Sequence, residues 1–418
     1  MYKAPRGTSD ILPKEQGCWR YVEQKAASLC QLYGYERIDT PVFEDAGLFI
    51  RTIGSGTDIV EKETYTFEDR GGAALTLRPE GTAPVCRAYI EHGMHNLPQP
   101  VRLYYFASIF RYERPQKGRY RQHHQFGVEA LGSSDPALDA EVIDMAWKFF
   151  ASLDLSDLSL LLNSIGCRLC RPGYLEQLKA HYAGKVEHLC SDCRDRFRRN
   201  PLRLLDCKQP SCQIVVESAP RSADYLCGEC REHFESVMRY LSLLGIPFAR
   251  SHRLVRGLDY YTRTVFEVQP LGEGGAQTAL AGGGRYDYLI EELGGKPTPA
   301  IGFAAGMERI VLNLGQQGVA VAAPTGERVF LAYMGQRAKE EALKLGAALR
   351  GAGIAALSSL EDRSLKAQLR QADTLGAAYA LILGEEEVAN GTVVLRDMTK
   401  GEQRTVSMGE VVGMLGRG

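Results

Sequence analysis

Residues 104–131 read YYFASIFRYERPQKGRYRQHHQFGVEAL. Two runs rich in apolar and aromatic residues, YYFASIFRYE and QFGVEAL, flank a polar stretch, which predicts an antiparallel hairpin with a long tip. The tip is basic: Arg111, Arg114, Lys117, Arg119 and Arg121 fall within eleven residues, opposed by Glu113. A charge run alone reads as a solvated turn. Arg111 and Glu129, however, fall inside the apolar strands, where an inward charge is costly unless a ligand or partner satisfies it. Because a guanidinium bonds two phosphate oxygens at once, the cationic tip matches a phosphate-bearing ligand, while Arg111 and Glu129 are expected to face a pocket.

Outside the hairpin the chain is close to neutral. Its 418 residues carry a formal net charge of −1, which excludes a general polyanion binder and confines any nucleic-acid contact to local patches. The start, MYKAPRGTSD, lacks the apolar core of a signal peptide, and no apolar run approaches the roughly 20 residues that span a bilayer. A cytoplasmic protein with no membrane contact is expected. Of 11 cysteines, eight lie between Cys167 and Cys230 in four pairs: Cys167–Cys170, Cys190–Cys193, Cys207–Cys212 and Cys227–Cys230. In a reducing compartment such spacing points to metal ligation, with one or two tetrahedral zinc sites of four thiolates each. Buried, reduced thiols without metal are the alternative, and four pairs combine into two sites in three ways.

The patterning divides the chain into three. Residues 1–166 and 246–322 read as one α+β domain on a mainly antiparallel sheet. It opens with a helix carrying Trp19, Val22, Ala26 and Leu29, followed by a strand in ERIDTPVF that includes Pro41. Residues 167–245 form a Cys-paired, Arg-rich insertion with little strand character. After an Ala/Pro/Gly linker, residues 325–418 alternate strands with helices and end in a hairpin turning at Lys400-Gly401, a small α/β domain.

Other constellations fit a ligand pocket. RLVRGLDYYTRTVFE (253–267) sets Arg256 and Asp259 beside Tyr260 and Tyr261, a polar pocket or ordinary packing. LRPEGT (77–82) offers Glu80 and Thr82 at a strand-to-helix turn, as pocket groups or as a helix cap. AGGGRYD (281–287) lacks the Gly-Lys-Ser/Thr ending of a phosphate loop and reads as a tight turn with close backbone approach. Arg309, in AAGMERI, opens a helix.

Taken in order, these segments resemble the histidyl-tRNA synthetase family of class II aminoacyl-tRNA synthetases, essentially end to end. RGTSDILP, ERIDTPVFED, FRYERPQKGRYRQHHQFGVE, LVRGLDYYTRTVFE, AGGGRYD and AAGMERI carry the resemblance, and RSLKAQLRQAD and VVLRDMTKGEQ are similar to its anticodon-binding domain. The resemblance implies a class II synthetase fold. It also implies activation of L-histidine with ATP, accompanied by Mg2+, and transfer of histidine to tRNA(His). Arg111, Arg256 and Arg309 would be catalytic cations on the phosphates, and Glu113 and Arg121 would help place ATP. Glu80, Thr82 and Gln125 would hold the α-amino group. Glu129 and Tyr261 would read the imidazole, and Tyr260, Tyr286 and Arg256 would complete the pocket. Arg114, Gln116, Lys117 and Arg119 would face the acceptor end of the tRNA, and the first class motif would form a homodimer. The insertion departs from the family pattern; Arg194, Arg196, Arg198, Arg199 and Arg203 there form a candidate acceptor-stem contact. The alternative is a catalytically silent paralogue serving as regulatory subunit of ATP phosphoribosyltransferase, which loses the Arg256 signature and the anticodon domain.

Overall fold

The computed structural model describes residues 2–53, 62–115, 118–271, 279–321, 328–361 and 363–416. The chain forms two compact units, Met1–Val321 and Ala322–Gly418.

The first unit begins with α1 (Gln16–Leu32), β1 (Glu36–Arg37), β2 (Phe43–Asp45), α2 (Ala46–Ile53), β3 (Tyr65–Glu68), β4 (Ala74–Leu77) and α3 (Thr82–Glu91). The hairpin follows as β5 (Val101–Phe110) and β6 (Gln122–Leu131), then α4 (Pro136–Ser152) and β7 (Leu158–Ser164). The insertion is helical: α5 (Arg171–Ala183), α6 (Ser191–Arg199), α7 (Pro210–Glu217) and α8 (Gly228–Leu243). The chain returns through β8 (Ala249–Arg250), β9 (Thr262–Pro270), β10 (Ala281–Arg285), α9 (Leu289–Glu292), β11 (Ala300–Gly306) and α10 (Met307–Gln316).

Eight strands form one sheet in the order β1-β5-β6-β11-β10-β9-β7-β8. All neighbours are antiparallel except the edge pairs β1–β5 and β7–β8. The expected hairpin supplies its second and third strands, with Leu103 opposite Glu129 and Ala107 opposite Gln125. Two expectations change. ERIDTPVF is two short strands in different sheets, because Pro41 has no N–H to give a ladder; β1 pairs with β5, and β2 joins the separate sheet β2-β4-β3. AGGGRYD holds strand β10, not a turn.

Alternation along the strands gives the sheet two unlike faces. Phe126, Val128 and Ala130 of β6, Phe266 and Val268 of β9, and Ile301, Phe303 and Ala305 of β11 belong to one core with α1, α4, α8 and α10. Phe126 is fully buried, with the Phe149 ring 5.0 Å and the Phe303 ring 5.7 Å away; its truncation to Ala would cost about 3–5 kcal/mol. Arg285, at the end of β10, is 0 % exposed. It bonds Asp139 of α4 at 2.7 Å and Asp287 at 2.9 Å, and Asp139 also meets His233 of α8 at 3.1 Å. That buried network locks three elements together, and removing one partner would cost about 3–5 kcal/mol. The opposite face carries His123, Gln125, Gly127 and Glu129 of β6, Gly302 of β11, Gly282 of β10 and Glu267 of β9.

The second unit comprises β12 (Arg328–Tyr333), α11 (Gln336–Gly351), β13 (Ala355–Ser358), α12 (Leu365–Thr374), β14 (Tyr379–Leu383), α13 (Glu385–Asn390), β15 (Thr392–Asp397), β16 (Gln403–Ser407) and α14 (Met408–Leu415). Its sheet runs β13-β12-β14-β15-β16; the first three strands are parallel and the last two antiparallel. The β15–β16 hairpin turns where expected, at Gly401 with φ +74°. Among the described residues of both units, no helix is long and apolar enough to cross a membrane.

Candidate active site and thiolate clusters

A cavity of about 490 Å³ opens on the polar face of the large sheet. Glycine makes room for it. A Cβ on Gly302 would stand 2.0 Å from Glu129 Oε2, and one on Gly282 2.2 Å from Arg256 Nη2. These strands therefore serve as a floor against which functional side chains lie flat.

At one end the groups are buried and mutually bonded. Glu80 stands just before α3, and its carboxylate accepts from Thr82 N at 2.6 Å and Ala83 N at 2.8 Å. It thus caps the helix while also lining the cavity, so both sequence readings hold. Glu129 is 1 % exposed, one layer beneath the wall. Its oxygens accept from Thr82 Oγ1 at 2.8 Å, Tyr105 OH at 3.2 Å and the Tyr286 hydroxyl. A carboxylate has about four lone-pair sites, so these three hydroxyls leave one acceptor position. Burial pushes the Glu129 carboxyl up to about 8; the hydroxyls of Tyr286, Thr82 and Tyr105 pull the other way, and nearby Glu80 adds to the rise. Tyr260 stacks near Tyr261 (ring centroids 4.8 Å apart) and Tyr286 (5.7 Å), and Gln125 lines the same end.

The other end is cationic. Arg111 lies just past β5, and its Nε donates to the Pro79 carbonyl at 2.8 Å. Glu113 links it to Arg119, at 3.9 Å and 3.1 Å respectively. Arg256 donates to Glu267 at 2.6 Å. Arg309, in the first turn of α10, donates to the Ala279 and Gly118 carbonyls at 2.8 and 3.2 Å. The helix itself is pinned by Glu308, which accepts from His124 N at 2.9 Å. His123 lines the cavity between these cations. Burial, reinforced by Arg111 and Arg309, pushes its imidazole down to about 3, so it is neutral at pH 7.

Most of the expected site residues therefore converge: Glu80, Thr82, Arg111, Glu113, Gln125, Arg256, Tyr260, Tyr261, Tyr286 and Arg309 line one cavity. Arg121 does not; it stacks on the Tyr112 ring at 3.7 Å and donates to the Glu113 carbonyl. Arg119, grouped with the basic tip in the sequence, lines the cavity, whereas Arg114 is exposed. Gln116 and Lys117 lie outside the described residues. Sequence reasoning missed His123, Tyr105 and Glu267. A period of two counted back from Glu129 through Gln125 reaches His123, which is the signal that was there to read.

The eight clustered cysteines resolve into two groups: Cys167, Cys170, Cys227 and Cys230, and Cys190, Cys193, Cys207 and Cys212. Within each group the sulfurs lie within 4.8 Å of one another. A metal about 2.3 Å from four tetrahedral sulfurs sets them about 3.8 Å apart. The separations Cys167–Cys170 (3.7 Å), Cys167–Cys227 (3.9 Å) and Cys190–Cys207 (3.9 Å) fit that edge. A backbone N–H also points at a sulfur in each group, Cys167 N at Cys170 and Cys190 N at Cys212, both at 3.2 Å. The five insertion arginines have unlike surroundings. Arg194 donates to the Leu189 and Glu187 carbonyls at 3.0 and 3.1 Å, Arg196 and Arg203 line the cavity, and Arg198 and Arg199 are exposed.

The chain is similar to known proteins over its whole length. Residues 7–310 match the histidyl-tRNA synthetase family, and residues 328–417 match the anticodon binding domain family. A histidine–tRNA ligase of Dehalococcoides mccartyi is 59% identical over 412 residues, 99% of this chain and 98% of the relative. One from Pelotomaculum thermopropionicum is 52% identical over 411 residues, 98% and 96% of the respective chains. The crystal structure of apo S. aureus histidyl-tRNA synthetase superposes with a TM-score of 0.83 at 39% identity, covering 100% of both chains. With the cavity's acid-and-tyrosine end and arginine end set on an antiparallel sheet, and with relatives this similar over their full length, the chain belongs to the histidyl-tRNA synthetase family of class II aminoacyl-tRNA synthetases.

Proposed function

We propose that the chain is a histidine–tRNA ligase that joins L-histidine to ATP, forming histidyl-adenylate and pyrophosphate, and then transfers histidine to tRNA(His). The observation that carries this reading is the two-ended cavity, with caged carboxylates and tyrosines at one end and arginines at the other. Glu129 offers its remaining acceptor position to an imidazole N–H, Tyr261 meets the second ring nitrogen, and Tyr260 and Tyr286 enclose the ring. Glu80, Thr82 and Gln125 receive the α-amino group. The substrate carboxylate then attacks the α-phosphorus, the bond to the pyrophosphate oxygen breaks, and negative charge grows on the non-bridging oxygens. Arg111 and Arg256 stabilise that charge, and Arg309 holds the departing end. Glu113 and Arg119 keep Arg111 in place. ATP enters as its magnesium complex, the metal being part of the substrate.

Zinc is the metal that suits the two thiolate groups, since four sulfurs at tetrahedral spacing form a closed structural site. The exposed tip around Arg114 faces the tRNA acceptor end, the second unit reads the anticodon, and the protein works as a cytoplasmic homodimer. The silent-paralogue reading is disfavoured by Arg256 and its Glu267 partner, and by the match of residues 328–417 to an anticodon binding domain. The deciding experiment is ATP–pyrophosphate exchange across all twenty amino acids, followed by charging of tRNA(His). Exchange with histidine alone is expected; its absence with histidine sinks the reading.

A further inference from the structure

The two thiolate groups occupy different places in the insertion. The first joins its ends: Cys167 and Cys170 follow β7, and Cys227 and Cys230 open α8, which packs on α4 in the main core. The second lies inside the insertion and borders the active-site cavity, which Cys190 and Cys207 both line.

Between Cys193 and Cys207 the chain crosses the loop that carries Arg256, Tyr260 and Tyr261. Asn200 Nδ2 donates to Asp259 Oδ1 at 2.7 Å. Arg203 lies over Gly257, its Nη1 3.3 Å from where a Cβ would stand. Asp206, next to Cys207, lines the cavity. From the far side α7 grips the same loop, with Gln213 bonded to Arg253 and Glu217 3.6 Å from it. Residues 200–208 contain one short 3-10 turn, Pro201–Leu204, and α6 and α7 have nine and eight residues. Helices this short are not stable by themselves and depend on tertiary contacts, here the core holding Leu204, Leu205, Val215 and Val216 and a tie between their ends. The second thiolate group is that tie: it joins the start of α6 to the far end of the crossing segment.

We propose that metal bound by Cys190, Cys193, Cys207 and Cys212 acts as a buttress for the activation site, holding segment 200–208 against loop 253–261 and so setting the affinity for L-histidine and ATP. Asn200 and Arg203 are its positioning residues. This rests on the ligase reading for the identity of the ligands, and it gives the insertion a role in activation as well as toward tRNA.

The test combines metal counting with ligand binding by calorimetry. The purified protein is expected to hold about two zinc ions per chain, and Cys212→Ser about one. Cys212→Ser binds L-histidine at least about ten-fold more weakly, as does Arg203→Ala with both zinc ions retained; Arg203→Lys recovers part of the loss. In pyrophosphate exchange the same variants raise KM for histidine and ATP. Unchanged histidine affinity in Cys212→Ser despite the lost zinc overturns the proposal. So does the absence of zinc from the second group, or an Arg203→Ala effect confined to KM for tRNA. Should Cys212→Ser fail to fold, Asn200→Ala and Arg203→Ala decide, and wild-type affinity in both overturns it. Failure of the wild type to charge tRNA(His) counts against the ligase reading and leaves these binding comparisons standing.

Discussion

At the acid-and-tyrosine end of the cavity, where we propose histidine binds, the acids are bonded before any ligand arrives: Glu80 by two backbone N–H groups, Glu129 by three hydroxyls. At the other end, where we propose the phosphates bind, Arg111 meets the Pro79 carbonyl and Glu113, Arg256 meets Glu267 and Arg309 meets two carbonyls, and all three line the open cavity. A buried, internally bonded pocket gives selectivity, because an ill-matched ligand leaves its polar atoms unpaired. Fixed cations around an open space give rate, because they act on charge that appears in the transition state. One cavity thus separates choosing a substrate from activating it.

The largest expected effect tests selectivity. Phenylalanine fills the pocket but gives Glu129 and Tyr261 no partner, so kcat/KM in exchange should favour histidine by about 10⁴-fold. Activation of phenylalanine within a hundredfold of histidine would break the distinction between the two ends. Next, Arg256→Ala should lower kcat about 10³-fold with a much smaller change in KM for histidine, and Arg256→Lys should not restore it because an ammonium lacks the planar fork. An equal change in histidine KM would show that the ends are not separable. Third, Gly302→Ala drives a methyl group into Glu129 and should weaken histidine binding about 10²-fold while leaving ATP binding in place, as calorimetry with each ligand would show.

The smallest effect concerns pH. Glu129 titrates near 8 in the fold against an ordinary value of 4.5, so the folded state binds its proton more tightly than the unfolded state. Its contribution to stability is full below pH 4.5 and is lost as pH rises through about 8. Urea unfolding of the ligand-free protein should show this as a decline of up to about 1.4 kcal/mol per pH unit. Glu129→Gln should flatten that part of the curve; an unaltered slope would place the raised proton elsewhere.

How legible each end was in the sequence follows from its construction. Gln125 and Glu129 stand out because a charged or amide side chain within an apolar alternating strand has few structural uses, and Arg111 stands out at the end of such a strand although the structure sets it just past β5. His123 lies on the same alternation but resembles its neighbour His124, and no local signal separates the one facing the cavity from the one bonded to Glu308. Pro41 marked an interruption, yet sequence could not say that the strands on its two sides join different sheets. The glycines of β10 look like a turn because the reasons for them lie elsewhere in the sheet: Gly282 makes room for Arg256, about 26 residues away along the chain, Gly283 for Gly302 and Phe303, and Gly284 for the Thr264 carbonyl. The cysteine pairing was undetermined for a similar reason: three combinations satisfy the spacing, and tertiary packing selects one. The insertion's approach to the cavity had no sequence signal, since Asn200 and Arg203 act through a loop more than fifty residues further on.

The glycine floor also has a genetic consequence. Glycine codons reach only larger residues by a single base change, so no point mutation at Gly282 or Gly302 is conservative. At Gly282 the added atom meets the tip of an arginine, which can shift only by giving up its 2.6 Å bond to Glu267, so the damage would appear first as lost activity in a folded protein. At Gly302 it meets a short carboxylate caged by three hydroxyls, which cannot. Two adjacent strands of one sheet thus carry the same residue for the same steric reason, yet the first hides its mutations from any screen for stability and the second exposes them.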